Sequence, residues 1–230
     1  MTMNDHECPV TVPTDKVNLD GDLCIPANAR GVVLFSHGSG SSRHSPRNRY
    51  VAGVLRKAGL ATLLIDLLTS DEEADDAFSG KWRFDISLLA RRLTGITDWV
   101  HTAQDTRHLN LGLFGASTGA AAALITAALR DKVVKAVVSR GGRPDLALPS
   151  LDQVKAPTLL IVGGNDFPVI EMNREALARI KTEKRLVIVP GATHLFEEPG
   201  ALEQVADLAK GWFIRHLAAK NKIKDAEIVK

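Results

Sequence analysis

The stretch Asn110-Leu111-Gly112-Leu113-Phe114-Gly115-Ala116-Ser117-Thr118-Gly119, followed by Ala120-Ala121-Ala122-Ala123-Leu124, decides the reading of this chain. Residues 110–114 are a short apolar run of the kind that makes a buried strand. Residues 118–130 are rich in alanine and favour helix. Between them lies G-x-S-x-G, in the strand, sharp turn and helix context that gives the motif its meaning. A serine on so tight a turn needs small neighbours, which Gly115, Ala116 and Gly119 supply. The turn lifts the hydroxyl above the sheet and aims the Thr118 amide, at a helix N-terminus, into the same space.

A serine hydroxyl at neutral pH is a poor nucleophile without a base. Working outward, the base is expected on a later loop. His194 lies in Pro190-Gly191-Ala192-Thr193-His194-Leu195-Phe196, just past the last expected strand. An acid is needed on another strand end to hold the imidazole in the right tautomer, and Asp166 follows Gly163-Gly164-Asn165. The order Ser, Asp, His suits this arrangement. His101 and His108 precede a strand, the wrong end for a site in a parallel sheet. His6 lies in the N-terminal segment and His216 in the last helix.

The remaining sequence alternates strands with helices. Strands are expected over residues 17–25, where Val17, Leu19, Leu23 and Ile25 keep a period of two, and over 31–35, 60–65, 133–138, 157–162 and 186–189. Helices are expected over 47–58, 83–100 and 202–217, and through Met172, Leu177 and Ile180. Residues 66–80 are acidic and read as a solvated loop, and residues 140–154 as irregular. Such alternation predicts an α/β protein with a mostly parallel sheet covered on both faces. The organisation expected is an N-terminal extension at 1–16, one domain at 17–217 and a polar tail at 218–230.

The 230 residues fit one domain of this kind. Net charge is +2, from 29 basic and 27 acidic residues, which argues against nucleic acid as a partner. The basic run Lys220-Asn221-Lys222-Ile223-Lys224 reads as a solvated tail. Cys8 and Cys24 sit in no metal-ligand pattern, so no metal is expected, and two cysteines fit a reducing cytoplasm. No apolar stretch approaches the ~20 residues that span a bilayer, and the polar N-terminus lacks a secretory pattern. The expectation is a cytoplasmic protein without membrane partners.

Three parts then carry a family resemblance: Ser36-His37-Gly38-Ser39-Gly40-Ser41 after a strand, the Ser117 turn, and the loops of Asp166 and His194. Over residues 17–217 the chain resembles the α/β-hydrolase superfamily, and more narrowly the small, cap-less dienelactone-hydrolase-like esterases. The resemblance implies an eight-stranded sheet without a separate cap domain and a small acyl substrate. It also implies an oxyanion hole made by the backbone N–H groups of Ser39 and Thr118. Dienelactone hydrolases carry cysteine at the nucleophile, whereas this chain has Ser117, which moves the expected activity toward general esters and lactones.

Trp82, Arg83, Phe84, Arg140, Arg143 and Phe167 are candidates for the substrate pocket. The arginines either hold a substrate carboxylate or fix loops by pairing with Asp66, Asp85 or Asp145. No dinucleotide pattern or phosphate-loop lysine is present, and no cofactor is expected. Acyl transfer, dienelactone-type ring opening, short-peptide hydrolysis and a non-catalytic binding role are the alternatives to ester hydrolysis.

Overall fold

The structure, a computed structural model, describes residues 7–218. Eight strands form one sheet: β1 (Cys8–Thr14), β2 (Val17–Cys24), β3 (Val32–Ser36), β4 (Ala61–Ile65), β5 (Leu111–Ala116), β6 (Val134–Arg140), β7 (Thr158–Gly163) and β8 (Lys184–Val189). Their order is β1-β2-β4-β3-β5-β6-β7-β8. From β3 onward all neighbours are parallel, while β2 runs antiparallel to both β1 and β4. Six helices complete the domain: α1 (Pro46–Lys57), α2 (Ser70–Ser79), α3 (Ile86–Thr102), α4 (Thr118–Leu129), α5 (Phe167–Arg179) and α6 (Ala201–Leu217).

The central strands are apolar throughout because both faces are covered. Along β5, Leu111 and Leu113 pack with Leu93 and Ile96 of α3 and Leu124 of α4. Phe114 faces the other way, among Val51 and Leu55 of α1 and Phe213 of α6. There its ring lies 4.8 Å from that of Phe35 on β3. This double burial fixes the register of β3 and β5, and with it the height at which the following loops emerge.

Three segments depart from the sequence reading. Among the described residues the sheet begins at Cys8, so residues 8–14 of the expected extension 1–16 are strand β1. Asp15 and Lys16 both have positive φ, 46° and 64°, in the two-residue loop that joins Thr14 to Val17. That conformation usually takes Asn-Gly or Asp-Gly, so the hairpin signal is absent from the sequence. Pro9 and Pro13 also mask the strand, although an edge strand tolerates them. Second, residues 70–79 are helix α2, not solvated loop. Thr69 and Glu72 close a reciprocal capping box, and Gly80 ends the helix at φ 63°. Arg92, buried on α3, holds both Glu72 carboxylate oxygens at 2.6 Å and the Leu67 carbonyl at 2.8 Å. Third, Arg140 belongs to β6, and Pro144–Gln153 is a 3₁₀ run. The expected tail lies outside the described residues apart from residue 218, as does His6.

No helix among the described residues is long and apolar enough to cross a membrane. No group of three or more His, Cys, Asp or Glu among them could hold a metal ion.

Candidate active site

Ser117 sits between β5 and α4 with φ 50° and ψ −122°. A non-glycine residue there carries about 1–3 kcal/mol of backbone strain. Its surroundings hold it in place. The Ser117 amide donates to the Arg140 carbonyl at 3.2 Å, and its carbonyl accepts from Ala120 and Arg143 N–H at 3.1 Å each. The motif glycines are demanded by close approach. A Cβ on Gly119 would lie 2.3 Å from the His37 carbonyl oxygen, and one on Gly115 would lie 2.4 Å from the Ala120 Cα.

Asp166 and His194 emerge from the ends of β7 and β8. The loops are stitched together: Asn165 N–H donates to the Ala192 carbonyl and Asn165 Nδ2 to the Gly191 carbonyl, both at 2.9 Å. Asp166 stands at the N-cap of α5, yet its side chain makes no cap bond. It accepts instead from His194 Nδ1 at 2.6 Å. With that proton directed at a carboxylate, His194 Nε2 offers its lone pair to the Ser117 hydroxyl at 3.3 Å. This contact is somewhat long, as such bonds often are before substrate binds. The structure therefore brings Ser117 and Asp166 each within hydrogen-bond reach of His194.

The loop after β3 lies against the same turn. His37 Nδ1 donates to the Gly38 carbonyl at 3.0 Å, and Nε2 accepts from Leu67 N–H at 3.2 Å. Those partners tie its ring to the loop and to Leu67, just past β4. The Ser39 amide does not stand free. It donates to Thr118 Oγ1 at 3.0 Å. Because a carbonyl only accepts, the Ser39 hydroxyl donates to the Arg83 carbonyl at 3.0 Å. Thr118 Oγ1 must then donate to Ser39 Oγ at 2.8 Å. A closed pair of bonds thus clamps Ser39 to Thr118, and the Ser39 amide reaches an oxyanion only by sharing its hydrogen with Thr118. Thr118 opens α4, so its own amide is among those without an intrahelical acceptor.

Arg83 is itself held by Asp76 of α2, a residue the sequence reading took for a solvated acid. Asp76 is 3% exposed. Its side chain accepts from Trp82 N–H at 2.7 Å, Arg83 N–H at 3.0 Å and Arg83 Nε at 2.5 Å. Burial pushes its carboxyl up, but the two amides and the guanidinium outweigh that and leave it below the usual aspartate value. The signal that could have found it is the Thr69/Glu72 capping box, which marks a helix start at Ser70, ten residues before the Gly80 that ends the helix.

Two cavities flank the loop after β3. One, of about 140 Å³, contains Ser117, His194, Leu195, Arg47 and Arg140. The other, of about 570 Å³, lies under α2 and is lined by Leu67, Leu68, Leu89, Ala74 and Arg83 among others. Gly38, Ser39 and Ser41 border both. Of the expected pocket residues, Arg83 and Arg140 line these spaces. Trp82 is tied to Asp75 through its indole N–H at 2.6 Å, and Arg143 pairs with Asp145 at 2.7 Å. Phe84 and Phe167 are exposed and line neither cavity. Asp66 is taken by Arg43. Arg83 pairs with Asp76 rather than Asp85.

The strand order and the strained serine turn define an α/β-hydrolase fold. The chain belongs to the dienelactone hydrolase family, whose model matches residues 19–216. It is 63% identical to a dienelactone hydrolase from Anabaena variabilis, with a TM-score of 0.91 over 92% of this chain and 98% of that one. A serine hydrolase without a lid from Xanthomonas campestris shares the fold at 20% identity, with a TM-score of 0.72 over 93% and 96% of the two chains. A protein of Mycobacterium tuberculosis, provisionally named as a phosphoribosyl transferase, is 60% identical over 208 residues. The match covers 90% of this chain and 46% of that relative, so the chain spans about half its length.

Proposed function

We propose that the protein hydrolyses small carboxylic esters, lactones among them, through an acyl-enzyme on Ser117. The observation that carries this reading is the continuous line from the Asp166 carboxylate through both His194 nitrogens to the Ser117 hydroxyl. His194 takes the hydroxyl proton as the oxygen attacks the acyl carbon. The developing oxyanion is received by the Thr118 amide and by the shared Ser39 amide. His194 then protonates the leaving oxygen, the acyl–oxygen bond breaks, and water repeats the sequence to release the acid. Asp166 keeps the imidazole oriented and balances its charge.

The larger cavity under α2 supplies an apolar wall for the acyl part. The name of the Anabaena relative favours ring opening of a lactone, which needs no change in the residues used. The name of the Mycobacterium relative is not carried over, because about half of that protein lies outside the match. The test is a panel of p-nitrophenyl esters and lactones with wild type and Ser117→Ala, alongside fluorophosphonate labelling. Labelling of Ser117 and loss of at least about 10³-fold in kcat for the alanine variant are expected. Equal turnover by the two proteins would refute the mechanism.

A further inference from the structure

Among the buried arginines of the described residues, Arg140 is the one whose charge has no carboxylate beside it. Arg92 is held by Glu72, while Arg140, 7% exposed, has no carboxylate within 4.0 Å among the described residues. Its Nε has no partner, and a terminal nitrogen reaches only Asn48 Oδ1 at 3.5 Å. The guanidinium carbon stands 5.9 Å from the centre of the Phe196 ring. Burial, with the Arg47 charge beside it, pushes the guanidinium down to about 10. A buried guanidinium without a counter-ion is costly, and an apolar side chain would fill the same space at less cost. Arg140 also lines the small cavity that holds Ser117 and His194.

Arg47 joins it in that cavity from the first turn of α1, whose N-cap is Ser45. Arg47 is paired at 3.1 Å only with Glu197, a side chain 63% exposed and able to swing into solvent. Two guanidinium groups thus line the cavity beside the nucleophile.

We propose that Arg140 and Arg47 bind a phosphate monoester carried on the alcohol part of the substrate, an inference that rests on the ester-hydrolase reading above. The position follows from topology. His194, after β8, protonates the leaving oxygen, and Arg140, the last residue of β6, lies on the same side of β5. The oxyanion loop follows β3, on the other side. The charge also follows: a dianion balances both arginines, whereas a carboxylate balances one. Guanidinium groups suit phosphate oxygens through paired N–H donors. The reaction is simple hydrolysis. The Ser117 oxygen adds to the acyl carbon, the acyl–oxygen bond breaks, and the phosphate-bearing alcohol leaves with the proton from His194; water then releases the acid from Ser117.

The test compares three acetate esters of one size: acetoxyethyl phosphate, acetoxypropanoate and methoxyethyl acetate. The wild type is expected to show kcat/KM for the phosphate ester at least about tenfold above the neutral ester, with the carboxylate between them. In Arg140→Gln and Arg47→Gln the ratio of phosphate to neutral ester falls toward one. Inorganic phosphate is expected to compete with the neutral ester on the wild type, and more weakly on Arg47→Gln. If Arg140→Gln does not fold, the surface variant Arg47→Gln and phosphate competition carry the test. A wild-type ratio near one, a preference for the carboxylate ester, or no competition by phosphate would each overturn the proposal. Failure of the ester-hydrolase reading looks different: no ester is cleaved and Ser117 is not labelled, whatever phosphate does.

Discussion

Replacing Asp76 by alanine probes how the helix α2 acts on chemistry from outside the triad. The substitution removes the acceptor of Trp82 N–H, Arg83 N–H and Arg83 Nε at once. Hydrogen bonds to a charged group are each worth about 1.5–3 kcal/mol net, and breaking a buried ion pair can cost about 3–5 kcal/mol. Arg83 is 28% exposed, so water recovers part of its loss. The expected destabilisation is therefore about 3 kcal/mol, read as a lower urea midpoint with an unchanged slope. Asp76→Asn, which keeps an acceptor but loses the charge, should lose about half as much. The kinetic effect travels through Arg83, whose carbonyl holds the Ser39 hydroxyl, to the loop that borders the oxyanion site. Misplacing that loop should lower kcat by about tenfold to a hundredfold while KM stays within about twofold. The measurement is steady-state hydrolysis of a p-nitrophenyl ester at a temperature where the variant remains folded. If stability falls as expected but kcat does not move, α2 is only scaffold and the chain of contacts to Ser39 carries no function.

Three further outcomes follow from the same geometry. Gly119→Ala should cost about 3 kcal/mol or more, because its methyl meets the His37 and Ser36 carbonyl oxygens rather than a side chain that can turn aside; a thermal midpoint equal to that of wild type would contradict the close approach. Asp166→Asn should lower kcat by about 10³–10⁴-fold, since the amide can hold the imidazole in the opposite tautomer, and a loss under tenfold would remove Asp166 from its orienting role. Asp76 and Glu72 lie below their ordinary values of 3.8 and 4.5, Glu72 chiefly through its hydrogen bond to Arg92. Their folded forms hold protons less tightly than the unfolded chain, so their stabilisation is complete above about pH 4.5 and is lost as pH falls further. Asp76→Asn should then show a flatter fall of stability between about pH 4.5 and pH 2 than the wild type, measured by urea unfolding at each pH.

The proximity of Ser117, Asp166 and His194 was legible because the proposed chemistry constrains the sequence twice. Ser117 needs glycines that no other turn would demand, and Asp166 and His194 must follow it on later strand ends. The parallel core was legible because doubly covered strands must be apolar. What escaped was held by interactions whose partners are distant in sequence. Strand β1 hides behind the hairpin Asp15-Lys16, with positive φ at two residues that seldom take it. Asp76 looks like any acid in Asp71-Glu72-Glu73-Ala74-Asp75-Asp76 until Trp82 and Arg83 fold back onto it. The capping box at Thr69 and Glu72 was readable and outweighed by the run of charge around it. Arg140 is the converse case. Its sequence neighbours say nothing, and its significance is a missing counter-ion, which only the fold around it can reveal.

The site divides into a half fixed by backbone and a half fixed by side chains. Ser117, Asp166 and His194 are set by strand ends and by loops bonded amide to carbonyl, as with Asn165 and Ala192. The Ser39 loop is set by a relay of side chains: Asp76 to Arg83, Arg83 to Ser39, Ser39 to Thr118. Backbone-fixed geometry survives most surface substitutions, whereas a relay fails at its weakest link. Thr118 is where the halves meet, since its amide belongs to the nucleophile turn and its hydroxyl holds the Ser39 loop. Changes in α2 should therefore alter how well the oxyanion is received without disturbing the proton path from Ser117 to His194. Changes at Arg140 and Arg47 should alter which ester is chosen without disturbing either.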